Sequence, residues 1–408
     1  MPPSAEVRGW SRLIAGVADQ VLLRTVHDMH RAISDAGFRW VGPIGRPVQR
    51  VSDALTDAVY DTVRVGLFTA GEVAAAAAEP LAHAGPPSAA ATKARAIAHG
   101  VVGDDLIALA PELDLELTLR RDGADVPVEP ASLRDAYPDA RGHLVLFVHG
   151  LVDTEAVWFE HGESGPPLPD RIAAAGASPL LVRYGTGRSM ARNGADLDAL
   201  LERLVAGWPV EVTDLTIVGH SMGGLVTRSA CLHAARNDRT WIRRLHDVVY
   251  LATPHLGSWL EKFANVLSWT LRRDPRSAPI GRLLDGRSRG IKELRFGTIA
   301  PEAIDDALID DLLTGLAPDE PWAADVTHHV VVGRLRDGRH VLNATFGDAL
   351  VRAGSAAGQG RHRQIAAWGE VVTIEVAESH TRLARHPRIA RLLDEIVTGG
   401  VSGASSGH

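Results

Sequence analysis

One serine of this chain is set in a pattern that chemistry can use: Gly219, His220, Ser221, Met222, Gly223. A serine hydroxyl is a weak nucleophile at neutral pH. It becomes a useful one beside a base, which is itself oriented by a carboxylate. Presenting the hydroxyl requires a tight, strained turn from strand to helix, where bulky neighbours would collide and glycines do not. The spacing Gly, any, Ser, any, Gly starts at Gly219, at Gly286 and at Gly403, so spacing alone does not choose among Ser221, Ser288 and Ser405. The surroundings do. Leu215 to Val218 read as an incoming strand, and Leu225, Val226, Ser229, Ala230 and Leu232 as an outgoing helix. Ser288 lies between Arg287 and Arg289 with no strand before it, and Ser405 lies in a tail of small residues. Ser221 is the candidate nucleophile.

In the α/β-hydrolases, which the strand, turn and helix around Ser221 resemble, the chain order is serine, acid, histidine. Of 18 histidines, His380 follows the last apolar run, Val371 to Val376, and precedes a helical stretch with Leu383, Ile389, Leu392 and Leu393. It is the candidate general base. Asp348, within Phe346 to Val351, lies between serine and histidine and is the candidate acid; Asp305, Asp306, Asp310 and Asp311 read as a solvated helix face. The oxyanion of a tetrahedral intermediate calls for backbone N–H donors. Met222, next after the serine, supplies one. Leu151 supplies the other, because the strand Leu144 to Val148 runs into His149 and Gly150, where glycine lets the loop bend close to the serine. His149 is expected to orient that loop and not to serve as the base.

These residues need a scaffold. Leu115, Leu117 and Leu119 alternate with polar residues, Asp122 and Gly123 make a turn, and Val126 to Val128 resumes, which reads as a β-hairpin. Short apolar runs then alternate with helical stretches: Leu144 to Val148, Pro179 to Arg183, Leu215 to Val218, Val248 to Leu251, Val330 to Val332 and Val371 to Val376. That alternation predicts an α/β fold, a mostly parallel sheet with helices on both faces. The first hundred residues differ. Val21, Leu22, Val26, Met29 and Ile33 share one helix face. Val51, Leu55, Val59 and Val63 share another after a break at Gly42 to Pro47, Ala74 to Ala78 form a third helical stretch, and Gly85 to Ser88 mark a linker. The expected organisation is an N-terminal helical extension over 1–100 and an α/β domain over 101–398. Within it, 253–322 forms a lid-like insertion carrying Trp259, Phe263, Leu267 and Trp269, and a disordered tail occupies 399–408.

With these pieces in place, the chain resembles the lipase-like α/β-hydrolases that include the bacterial triacylglycerol lipases and the GPI inositol-deacylase-like group. The matching segments are Phe147 to Leu151, Arg183 to Gly187, Gly219 to Gly224, LATPHLGS from Leu251 to Ser258, GIKELRFG from Gly290 to Gly297, Gly347 to Val351, and Ser379 to Pro387. The resemblance implies the α/β-hydrolase fold and hydrolysis of a carboxylic ester through an acyl-enzyme, without metal or organic cofactor. It also implies a structural place for His255 near the site. In one departure, Ala349 follows Asp348 where the family often has glycine.

Composition sets outer bounds. With 45% hydrophobic and 23% charged residues the chain has material for a buried core. A net charge of -7 leaves no electrostatic footprint for nucleic acid. The single cysteine, Cys231, excludes an intramolecular disulfide framework and a cysteine-only metal cage. The pairs His27 with His30 and His328 with His329 lack the carboxylates of a metal site. Met1 to Trp10 lack the basic-then-apolar pattern of a signal peptide, and no run reaches the ~18 apolar residues of a membrane span. A cytoplasmic location is expected, with an apolar ester or lipid as substrate. Peripheral membrane contact through the N-terminal helices or the insertion stays open, as does the oligomeric state. Two other functions stay open: acyl transfer to an alcohol from the same acyl-enzyme, and a non-catalytic scaffold that binds a membrane or partner.

Overall fold

The structure, a computed structural model, describes residues 3–19, 27, 46–78, 89–103, 110–159, 165–255, 323, 325–333, 370–376 and 383–399. They fall into two compact units, one up to Asp114 and one from Leu115 onward. The expected face from Val21 to Ile33, the linker Gly85 to Ser88, the insertion over 256–322 and the tail over 400–408 lie outside the described residues.

The N-terminal unit contains α1 (Pro3–Ala18), α2 (Arg46–Ala78) and α3 (Ala89–Val102). The alanine run read as a separate stretch continues α2 without a break, as expected for the residue of highest helix propensity. Where its side chains are described, the expected apolar face of α2 is open. Val59, Val63, Val65 and Val73 are exposed, while Arg64 reaches the buried carboxylate of Asp19 at 2.7 Å and Asp57 meets His27 at 2.8 Å. The ion pairs of Arg64 and Asp57 thus leave α2 from other positions than the exposed valines. In α3, Arg95 donates to the Leu113 carbonyl at 2.8 Å and buried His99 meets Asp114 at 2.9 Å, which ties the helix to the turn at Pro111–Leu113. Among the described residues, no helix is long and apolar enough to cross a membrane.

The second unit is built on an eight-stranded sheet: β1 (Thr118–Arg121), β2 (Ala124–Val126), β3 (His143–Val148), β4 (Ser178–Arg183), β5 (Asp214–His220), β6 (Leu245–Leu251), β7 (Thr327–Gly333) and β8 (Val371–Val376). Their order is β2-β1-β4-β3-β5-β6-β7-β8; β1 is antiparallel to both neighbours and all pairs from β4 to β8 are parallel. The hairpin turns at Asp122 and Gly123, both at positive φ, the geometry that matches strand twist. Its first strand starts at Thr118, after Leu115 and Leu117.

Helices cover both faces. With α4 (Pro130–Ala136), α6 (Met190–Gly207) and α7 (Met222–Arg236) close one core over Leu144, Leu146, Val148 and Ile217. On the other face α5 (Leu168–Ala174) and α8 (Pro387–Thr398) bury Val145, Phe147, Val218 and Val249. Successive residues of β3 enter opposite cores, which is why its sequence is a continuous apolar run. The chain leaves β3 for β4 on one side and returns to β5 on the other, so the carboxyl ends of β3 and β5 frame the sheet's topological switch point. Val148 pairs with Gly219, and the loops that follow start side by side.

Candidate active site

Ser221 is the one residue between β5 and α7, at φ 51° and ψ -120°. For a residue with a Cβ this region is strained and persists only where the surroundings hold it. They do so here: the Ser221 N–H donates to the Leu251 carbonyl at 2.8 Å, and its own carbonyl accepts the Gly224 N–H at 3.1 Å. The first turn of α7 presses on the end of β3. A Cβ on Gly223 would stand 2.3 Å from the Val148 carbonyl oxygen and 2.5 Å from that of His149, and one on Gly219 would stand 2.7 Å from the Gly224 backbone. Met222, fully buried, opens α7, so that a first-turn amide, which has no partner within the helix, and the positive end of the helix dipole lie next to the serine.

The 149–154 loop faces this turn from β3. A Cβ on Gly150 would lie 3.3 Å from the Ser221 Cβ, so glycine permits the approach. Leu151 follows, half-buried. Buried His149 stacks on Tyr184 with ring centroids 4.5 Å apart, and the Tyr184 hydroxyl donates to the His149 carbonyl at 2.7 Å. Burial lowers the His149 pKa to about 4, so the ring is neutral at pH 7. Its Nε2 accepts from the Tyr184 N–H at 3.4 Å, which leaves the proton on Nδ1 to donate to the Gly150 carbonyl at 2.9 Å.

Sequence reading missed the groups that anchor the far end of this loop. Glu155 opens a short helical turn, Glu155–Phe159, and its buried carboxylate accepts from Arg183 Nε at 2.7 Å and Arg120 Nε at 3.0 Å. Burial alone would raise its pKa, but the Arg183 and Arg120 hydrogen bonds and charges outweigh that and hold the carboxyl below its usual range. The only sign in the sequence was the position of Arg183 at the end of a strand.

The other histidines near the turn are packed into the core. His220, at the end of β5, meets the edge of Trp158 at 6.5 Å. Fully buried His255 stands edge-on to Tyr250 at 4.7 Å, and burial depresses its pKa far below the usual value. On β7, His328 donates from Nε2 to the Ala323 carbonyl at 3.0 Å and accepts the Tyr250 hydroxyl at 3.2 Å; burial lowers its pKa to about 4. Such histidines protonate near 6.5 once unfolded but resist protonation when folded. Their stabilising effect is complete above pH 6.5 and is lost as pH falls toward 4, by up to about 3 kcal/mol for each of His149 and His328. The melting temperature followed by circular dichroism is therefore expected to fall steadily across that interval, and to fall less in His328→Phe. A level profile would contradict the assignment.

Asp348 and His380 lie outside the described residues. Among the described residues, no group of three or more His, Cys, Asp or Glu side chains is placed to hold a metal ion.

No curated protein matches the chain at a significant level. Among solved structures it is similar to the mature form of Bacillus licheniformis lipase BlEst2, with 18% identity and a TM-score of 0.39 over 62% of this chain and 91% of that one. It is also similar to the RedJ thioesterase of the prodiginine pathway in Streptomyces coelicolor, with 14% identity and a TM-score of 0.37 over 67% and 88% of the two chains. A third is lipase B of Aspergillus fumigatus, with 12% identity and a TM-score of 0.39 over 70% and 60%. The model of the alpha/beta hydrolase family matches residues 145–392, well over half of the chain. That stretch runs from β3 into α8 and holds the strained serine between its flanking strand and helix: the chain belongs to the alpha/beta hydrolase family.

Proposed function

We propose that the chain is a serine carboxylic-ester hydrolase of the lipase and esterase kind, working through an acyl-enzyme on Ser221. The observation that carries this reading is the backbone of Ser221, held at φ 51° on the turn from β5 to α7 at the switch point, with Gly150 against it. A strained seat of this kind serves to present a hydroxyl. Ser221 Oγ attacks the ester carbonyl while His380 takes its proton, and Asp348 orients the imidazole and stabilises its cation. The oxyanion is met by the Met222 and Leu151 amides. Collapse of the tetrahedral adduct expels the alcohol, which takes the proton from His380. Water, deprotonated by the same histidine, then releases the acid and restores the serine. The apolar residues Trp259, Phe263, Leu267 and Trp269 after β6 favour an apolar acyl group.

Hydrolysis of p-nitrophenyl esters of increasing acyl length, with a fluorophosphonate as inhibitor, tests the proposal. Turnover that rises from acetate to longer chains and is abolished by stoichiometric phosphonylation of Ser221 is the expected result. Absence of both turnover and adduct would overturn it.

A further inference from the structure

The segment from 149 to 155 is gripped at three points by three residues, Arg183, Tyr184 and Thr186, at and just beyond the end of β4. Arg183 holds the Glu155 carboxylate, Tyr184 holds His149 by stacking and by its hydroxyl, and the Thr186 hydroxyl accepts the Val152 N–H at 3.2 Å. Thr186 and Tyr184 are themselves buried. The grip acts on a turn that would not hold itself. The Asp153 N–H closes on the Gly150 carbonyl at 3.3 Å, and Val152 sits within this turn at φ 54°. A β-branched residue is ill suited to a position that favours glycine. The Val152 amide, at the strained residue itself, is the group that Thr186 captures.

The consequence concerns the direction of one N–H. The Gly150 carbonyl is fixed by His149 Nδ1–H at 2.9 Å and by the Asp153 N–H. In a trans peptide the following N–H points opposite to that carbonyl. The orientation of the Leu151 N–H is thereby set by the His149 ring, and the ring is set by Tyr184. Of the neighbouring amides, Val152 and Asp153 are already engaged.

We infer that Tyr184 and Thr186 are positioning residues that aim the Leu151 amide at the Ser221 turn, so that the β4 end controls the rate of acyl transfer without touching substrate. This rests on the ester-hydrolase reading of the site, in which Leu151 meets the oxyanion.

The test uses the full chain with p-nitrophenyl butyrate. Thr186→Val keeps the shape of the side chain and removes the acceptor; kcat is expected to fall about tenfold or more with KM changed less than about twofold, because a misaimed donor costs transition-state stabilisation and not substrate binding. Thr186→Ser restores the hydroxyl and is expected to recover most of the rate. Tyr184→Phe is expected to fall in the same direction, and it provides the decisive variant if Thr186→Val does not fold. Both should still be phosphonylated at Ser221 to full stoichiometry, only more slowly. Wild-type kcat in both variants would overturn the inference, as would a kcat loss in Thr186→Val that Thr186→Ser fails to rescue. Failure of the unaltered chain to accept the phosphonate would instead strike the hydrolase reading beneath it.

Discussion

Ser221→Ala is expected to leave a folded chain whose ester turnover is reduced by about 10⁴ to 10⁶-fold and which gains no fluorophosphonate mass. The reasoning separates chemistry from fold. Alanine keeps the Cβ, so the strain at φ 51° is unchanged, as are the Ser221 N–H bond to Leu251 and the Gly224 bond to its carbonyl, which are backbone interactions. Only Oγ is lost. Stability should therefore stay within about 0.5 kcal/mol of the original, as for substitutions that touch no buried contact. Intact mass spectrometry after phosphonate treatment and a thermal melt give both readouts. Retained labelling or retained turnover in a normally melting variant would place the nucleophile elsewhere.

Gly223→Ala should do the opposite, damaging the fold and the chemistry with it. The added methyl would sit 2.3 Å from the Val148 carbonyl oxygen and 2.5 Å from that of His149. Both are backbone atoms, one at the end of a paired strand and the other at the start of the loop that faces Ser221, so no rotamer change can make room. Either α7 lifts from β3 or the strand end is displaced. The expected cost is about 3 kcal/mol or more, equivalent to roughly 10 °C in melting temperature for a domain of this size. Gly66→Ala is the matched control: nothing lies within 4 Å of the added atom in α2, and helix propensity makes the change neutral or favourable. Equal melting of the two variants would refute the close approach of α7 to β3.

Much of the scaffold is legible in the sequence because its signals are local. The runs that form β3 to β8 are largely apolar, as suits strands lying between two cores, and the strand before Ser221 and the helix after it are adjacent in sequence. What escapes such a reading depends on contacts between distant segments. Glu155 looks like a surface carboxylate until Arg120 and Arg183, carried by different strands, enclose it. Thr186 gives no sign of its role before the turn at Val152 is folded against it. Val59 and Val63 share a face of α2 and are exposed, whereas half-buried Arg64 of the same helix reaches the buried Asp19 carboxylate, a contact that spacing cannot announce. Asp348 and His380 rest on chain order.

The hairpin at the start of the sheet has a consequence for how copies of the protein coexist at high concentration. Without it, β4 would present a long, flat row of open amides and carbonyls, on which another chain could add itself as a further strand. Instead β1 covers β4, and the outermost strand, β2, has only three residues. Its central Asp125 is tied to Arg120 and to Thr118, so a charged and already engaged side chain stands in the middle of the stretch left open on that side. Fibrillar growth from this edge would have to begin by breaking those bonds.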